Sequence, residues 1–260
     1  MKINQWALIL GGSKGLGLAT ARKLAGIGYH ILVVHRDRNL DMPDIEKSFK
    51  EIGSSGVLFK SFNKDAIQQA SREELIDEIN DFLPAGHKIK VLVHSIAKGN
   101  LKPMYEPNEQ ELSNQDFQIT INAMAISLYD WAKALLNAGF FAEDSRIIAF
   151  TSEGSAKVIS NYGAVAAAKA ALEAIARNMA LEFAVLGIKT NCIQAGVTDT
   201  ESLRRIPGST TLIQQAKLRN PYGRLTRPED VANVVSLLCA EEAKWINGTV
   251  IKVDGGESLR

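Results

Sequence analysis

The sequence predicts an α/β protein: one doubly wound domain with a parallel, mostly seven-stranded sheet flanked by helices. Three observations predict it. Short apolar runs alternate with longer amphipathic segments along the whole chain. The first apolar run leads straight into a glycine-rich turn and then a helical pattern. No repeat, low-complexity tract or Pro/Gly-rich linker divides the 260 residues, so a single domain over 1–260 is the economical solution. Strands separated by helices imply crossover connections, hence parallel pairing with both faces of the sheet covered. A chain of this length buries a substantial core on its own.

In chain order, the elements follow from these runs. Trp6–Leu10 is apolar throughout but too short for the core of a signal peptide, and it ends in glycines, so it is expected to be a strand. The amphipathic segment Gly15–Gly26 follows as a helix, then the apolar run His30–Val34 as a second strand. Pro43–Ile52 reads as a helix, Val57–Phe59 as a strand and Ser71–Phe82 as a helix whose acidic pairs Glu73-Glu74 and Asp77-Glu78 face solvent. Lys90–His94 is the fourth strand, Asn114–Ala138 a long helix and Arg146–Thr151 the fifth strand. Tyr162–Leu186 is a second long helix, and Ile188–Ile193 is the sixth strand. Helices at Thr211–Arg219 and Pro228–Cys239 and a last strand at Thr249–Val253 complete the chain. Alanines crowd the segment 163–174, and their small side chains suit either a helix-to-helix subunit contact or close packing on the chain's own sheet.

Composition excludes several functions. A net charge of +1 provides no global field for nucleic acid. No stretch approaches 18 apolar residues, so no membrane span is expected. Cys192 and Cys239 match no metal spacing and read as buried thiols of a reducing, cytoplasmic compartment. His35, His87 and His94 form no ligand cluster, and His94, at a strand end, suits either a cofactor contact or a satisfied buried position.

Chemistry concentrates at two places. The first is Gly11-Gly12-Ser13-Lys14-Gly15-Leu16-Gly17, between the first strand and the first helix. Glycines there allow a tight turn and close approach of the backbone to a pyrophosphate, while the helix N-terminus supplies unpaired N–H groups. The second strand ends in His35-Arg36-Asp37-Arg38. An arginine at that point grips a 2′-phosphate, whereas an acid grips a ribose hydroxyl. Arg36 and Lys14 are expected to converge on a 2′-phosphate, favouring NADPH. Asp37 is the opposing signal and keeps NADH as the alternative.

The second place is the pair Tyr162 and Lys169. Seven residues are about two helical turns, ~10 Å along the axis, so both side chains share a face. A neighbouring ammonium is expected to favour the ionised phenol and lower its pKa.

The spacing Gly11-x3-Gly15-x-Gly17 resembles the TGxxxGxG loop of the short-chain dehydrogenase/reductase family, with Leu10 in place of the usual Thr. The tail from Asn247 to Gly256 closely resembles the family's last strand, so the resemblance spans nearly the whole chain. Most members carry Asn-Asn-Ala-Gly after the fourth strand. Here His94-Ser95-Ile96-Ala97 is similar to the enoyl-acyl-carrier-protein reductases, as is Ala195-Gly196 where Pro-Gly is usual. Most of the family uses Tyr-x3-Lys, which would put the phenol at Val165. Enoyl reductases use Tyr-x6-Lys, which Tyr162 and Lys169 match.

Two features depart from that pattern. Ser152 stands where many enoyl reductases have Tyr or Phe. It is typical of carbonyl reductases, but it also resembles an NADPH-using enoyl reductase branch whose substrate loop ends near Pro207. In Thr120-Ile121-Asn122, Thr120 aligns with the asparagine of the carbonyl reductases' lysine-linked proton relay, so that relay is missing or a water serves instead.

The resemblance implies a Rossmann-type NADPH-dependent reductase of trans-2-enoyl thioesters, carried on acyl carrier protein or CoA, in fatty-acid synthesis. Tyr162 would stabilise the enolate oxygen, Lys169 would hold the nicotinamide ribose, and Ser152 would steady the same oxygen or order a water. The implied cofactor contacts are Gly11, Ser13, Lys14, Gly15, Leu16, Gly17 and Arg36, then Asn63, Ser95, Ile96 and Ala97, and finally Lys169, Gly196, Thr198 and Thr200. A homotetramer is implied as well. The alternatives are a carbonyl reductase of 3-oxoacyl thioesters or another ketone, favoured by Ser152, and a non-catalytic NADPH-binding protein. Residues 200–220, interrupted at Pro207-Gly208, are expected to form a substrate lid. Its Leu203, Ile206, Leu212 and Ile213 suit an acyl channel or plain core packing. Its Arg204, Arg205, Lys217 and Arg219 suit an acidic carrier protein or a solvated face.

Overall fold

The structure is a computed structural model that describes residues 4–107, 110–206 and 208–260, so Pro207 of the expected lid lies outside the described residues. The elements are β1 (Gln5–Leu10), α1 (Gly15–Gly26), β2 (His30–His35), α2 (Met42–Gly53), β3 (Phe59–Asn63), α3 (Gln69–Phe82), β4 (Lys88–His94) and α4 (Asn114–Ile121). A π turn at Asn122–Ile126 joins α4 to α5 (Ser127–Asn137). Then come β5 (Phe141–Ser152), α6 (Gly163–Glu182), β6 (Lys189–Ala195), α7 (Glu201–Arg204), α8 (Ser209–Arg219), α9 (Pro228–Leu238) and β7 (Val250–Val253).

All the pairings are parallel, in the order β3-β2-β1-β4-β5-β6-β7. The alternation along β1 shows how the sheet is buried on both faces. Trp6, Leu8 and Leu10 enter one core with Leu75, Ile79, Trp131, Leu135 and Leu172 of α3, α5 and α6. Ala7 and Ile9 enter a second core with Leu24, Phe49, Val231 and Val235 of α1, α2 and α9. The chain leaves β1 toward β2 on one side and returns through β4 on the other. That switch point opens a crevice at the carboxyl ends of the strands. Leu10 is level with Val34 and His94, and Ser152 with Ala195, so the glycine loop, the 94–97 segment and the end of β5 lie on one rim.

The fifth strand starts earlier than expected, at Phe141, and α7 is an added short helix; three further elements differ in ways that bear on the site. The third strand is Phe59–Asn63 rather than Val57–Phe59. It is an edge strand bonded to β2 alone, so it tolerates Lys60, Ser61 and Asn63, and the apolar signal precedes it. The helix expected over 114–138 contains the π turn, where the Ser127 hydroxyl donates to the Ala123 carbonyl (2.8 Å) and pairs with His94 Nε2 (2.8 Å). The next long helix starts at Gly163, leaving Tyr162 as its N-cap. Of the alanines there, Ala164, Ala168, Ala176 and Ala180 are buried within this chain, whereas Ala166, Ala167, Ala171 and Ala174 are partly buried and Ala170 is exposed. No helix of the described residues is long and apolar enough to cross a membrane.

Candidate active site

Gly11 and Gly15 have φ of +81° and +54°, backbone that favours glycine. A Cβ on Gly11 would lie 2.5 Å from the Ser95 carbonyl oxygen, and one on Gly17 would lie 2.2 Å from the Gly11 oxygen. The loop is therefore pressed against both the 94–97 segment and its own helix. Lys14 is the N-cap of α1 but makes no side-chain cap, so the first N–H groups of the helix are left for an anion. This cradle fits the pyrophosphate of a dinucleotide. Ser95 extends the sheet edge by donating its N–H to the Leu10 carbonyl (2.8 Å), with Ile96 half-buried and Ala97 exposed beyond it. Gly196, across the rim, is equally constrained: a Cβ there would meet Thr226 Oγ1 at 2.4 Å. Thr198 donates to the Gly196 carbonyl (2.9 Å) as a turn hydroxyl, and Thr200 caps α7 by accepting from Leu203 N–H (3.3 Å).

The expected convergence of Lys14 and Arg36 on a 2′-phosphate is not what the structure places there. Arg36 turns to Asp65 (2.7 Å) and is 66% exposed. Lys14 Nζ lies among Glu201 (3.0 Å), Asp41 (3.1 Å) and Asp37 (3.5 Å). Burial disfavours the Asp37 carboxylate, yet hydrogen bonds from Ser13 and His35 more than offset it and lower its pKa. Asn63 exchanges hydrogen bonds with the Asp37 backbone, joining the ends of β2 and β3. Carboxylates distant in sequence from either cation have drawn both aside.

Ser152 ends β5, and its Oγ accepts the Gly154 N–H (3.2 Å) and hydrogen-bonds the Tyr162 phenol. A Cβ on Gly154 would fall 2.6 Å from the Tyr162 ring, so glycine lets this turn lie flat against it. Burial raises the phenol's pKa and the Ser152 hydrogen bond only partly offsets that, so the expected lowering by Lys169 does not occur. Lys169 is buried, donates Nζ to the Phe150 carbonyl (2.6 Å), and has its pKa lowered by that burial to about 8. Its charge acts on His94 instead, which burial and Lys169 together depress to about 3. Because Ser127 donates to Ala123, neutral His94 donates its Nε2–H to Ser127, and among the described residues its Nδ1 has no partner.

Val165 packs in an apolar cluster with Ala123, Met124 and Ala168. Thr120 is fully buried and its hydroxyl accepts the Asn100 N–H (3.1 Å), whereas Asn122, at the start of the π turn, is exposed.

Residues 11–258 match the family profile described as Enoyl-(Acyl carrier protein) reductase. The chain belongs to the short-chain dehydrogenase/reductase family. It is an oxidoreductase of the NAD(P)(H)-dependent kind. This chain is 28% identical over 251 residues to a tropinone reductase homolog of Arabidopsis thaliana, covering 96% of this chain and 90% of the relative. It is 30% identical over 223 residues to the enoyl-[acyl-carrier-protein] reductase [NADH] of Aquifex aeolicus, covering 82% of this chain and 77% of that one. The crystal structure of the Aquifex reductase superposes with a TM-score of 0.83 at 24% identity, covering 98% of this chain and 97% of that one. An actinorhodin polyketide ketoreductase with NADPH shares the fold at a TM-score of 0.85 and 21% identity, over 100% of this chain and 99% of that one.

Within the segment expected to form a lid, Leu203 is buried, Ile206, Leu212 and Ile213 are partly buried, and Lys217 is exposed. The arginines are already paired: Arg204 with Asp199, Arg205 with Glu201, and Arg219 with Glu153 and Glu257. Sequence reasoning passed over Glu153 and Glu257. The one available signal was that Glu153 directly follows Ser152.

Proposed function

We propose that this protein is an NADPH-dependent enoyl-acyl-carrier-protein reductase, saturating trans-2-enoyl thioesters of acyl carrier protein or CoA in fatty-acid synthesis. One observation carries the reading. The phenol stands at Tyr162, bonded to Ser152, while position 165 holds a valine inside an apolar cluster. A bound nicotinamide dinucleotide would supply the hydride.

The chain's residues hold the reactants and the developing charge, and a proton delivered to the α-carbon, drawn from water, completes saturation. Tyr162, its pKa raised by burial, keeps its proton at neutral pH and donates to the thioester oxygen as negative charge develops there. Ser152 orients the phenol. Lys169, cationic at neutral pH, holds the nicotinamide ribose. The cradle Gly11–Gly17 takes the pyrophosphate, with Ser95, Ile96, Ala97, Gly196, Thr198 and Thr200 lining the crevice and Asn63 ordering the adenosine side. NADPH requires Lys14 to exchange Glu201 and Asp41 for the 2′-phosphate, whereas NADH would use Asp37 as it stands. Residues 200–220 act as the lid, and the protein works as a cytoplasmic homotetramer.

The test compares crotonyl-CoA with acetoacetyl-CoA, each with NADPH and with NADH, by loss of reduced-nicotinamide absorbance. Turnover of the enoyl thioester alone supports the reading. Turnover of the ketoester alone establishes the rival, a carbonyl reductase, which Ser152 and the tropinone reductase homologs favour.

A further inference from the structure

We propose that Arg219 is a positioning residue of the active site: it holds the turn bearing Ser152, and through it the Tyr162 phenol, by clasping Glu153 and Glu257 at once. The inference rests on the assignment of Ser152 and Tyr162 above, but not on which thioester they serve.

Arg219 is the last residue of α8, and its guanidinium reaches Glu153 at 2.7 and 3.3 Å and Glu257 at 2.8 Å. These are not surface pairs. The side chains of Arg219, Glu153 and Glu257 are 27%, 16% and 2% exposed. A carboxylate as deeply buried as Glu257 is costly without a partner, so the clasp is built into the fold. Glu257 also accepts the Val197 N–H (3.1 Å), joining the C-terminal turn to the loop after β6. Glu153 takes a second cation, Lys157, at 3.0 Å.

The route to the chemistry is short. Glu153 directly follows Ser152, and Gly154 then packs on the Tyr162 ring while its N–H is held by Ser152 Oγ. A shift of the Glu153 carboxylate therefore tilts the turn that aligns Ser152 with the phenol. Because Arg219 ends the helix of the lid region, the same contact ties the base of that segment to the serine. Arg219 touches no reacting atom in this scheme; it acts through Ser152.

The test is a double-mutant cycle on the full chain, using whichever of crotonyl-CoA or acetoacetyl-CoA the wild type turns over. Arg219→Met is expected to lower kcat about tenfold or more, with KM and the dinucleotide Kd (from fluorescence) changed less than about threefold. In the Ser152→Ala background the same substitution should add less than about twofold, because its effect passes through that serine. Arg219→Lys should fall between wild type and Arg219→Met. A second readout needs no turnover: the 13C resonance of the Tyr162 phenol carbon should move in Arg219→Met in the direction it moves in Ser152→Ala. An equal loss in both backgrounds, an unchanged kcat, or an unmoved Tyr162 resonance would overturn the proposal. If Arg219→Met does not fold, Glu153→Gln runs the same cycle with the same deciding outcomes. Turnover of the ketoester alone would sink the enoyl reading while leaving the cycle interpretable.

Discussion

Lys169 carries the pH dependence expected of this site. Its ammonium is buried against the Phe150 carbonyl, and its pKa is lowered by burial from an ordinary value near 10.5 to about 8. Between those two values the unfolded chain binds the proton that the folded chain has released. This lysine's contribution to stability therefore rises with pH across that window, while below about 8 its full burial penalty is present. Activity is expected to move the opposite way, because the cation is the working form. The kcat/KM for the thioester should fall above about pH 8, and Lys169→Arg, which stays charged, should lose that descending limb. A flat alkaline profile in the wild type would refute this. Tyr162, Lys169 and Ser152 were legible because spacing and residue type are properties of the string. The carboxylates that redirect Lys14 and Arg36 were not, because Glu201 and Asp65 meet them only through the fold.

At the scale of elements, the helix over 114–137 shows how a distant residue sets local geometry. Its N-terminus is written locally, by the capping box of Ser113 and Asp116. Its π turn leads into a contact that is not local, because Ser127 meets His94, 33 residues away. Ser127→Ala is expected to leave both nitrogens of buried His94 without a partner, at a cost of about 1–3 kcal/mol. Urea unfolding checks this, and a midpoint equal to wild type would mean the contact is dispensable. Periodicity likewise located six of the strands but misplaced the third, because an edge strand bonded only to β2 need not be apolar.

Across the whole molecule, the sheet order places the glycine loop, the 94–97 segment, Ser152 and Gly196 on one rim, although they are spread over most of the chain. The opposite surface near β7 exposes Leu181 (76%), Val185 (89%) and Trp245 (94%), and Asn247 bonds the Ala180 carbonyl to hold those two segments together. This apolar area suits the proposed tetramer. Trp245→Asp is expected to shift the assembly to smaller species in light scattering at unchanged circular dichroism, and an unaltered mass would remove this face from the interface.

The string by itself was enough for the fold class, for the glycine loop between β1 and α1 and for the position of the phenol. Each of these is a local pattern: alternation, glycine spacing, or a count of residues along the chain. Only the tertiary structure decided the protonation of Tyr162, the partners of every cation at the crevice, and the joining of Glu153, Arg219 and Glu257. Burial and Coulomb interactions act through space, and the distances that set them do not exist until the chain has folded.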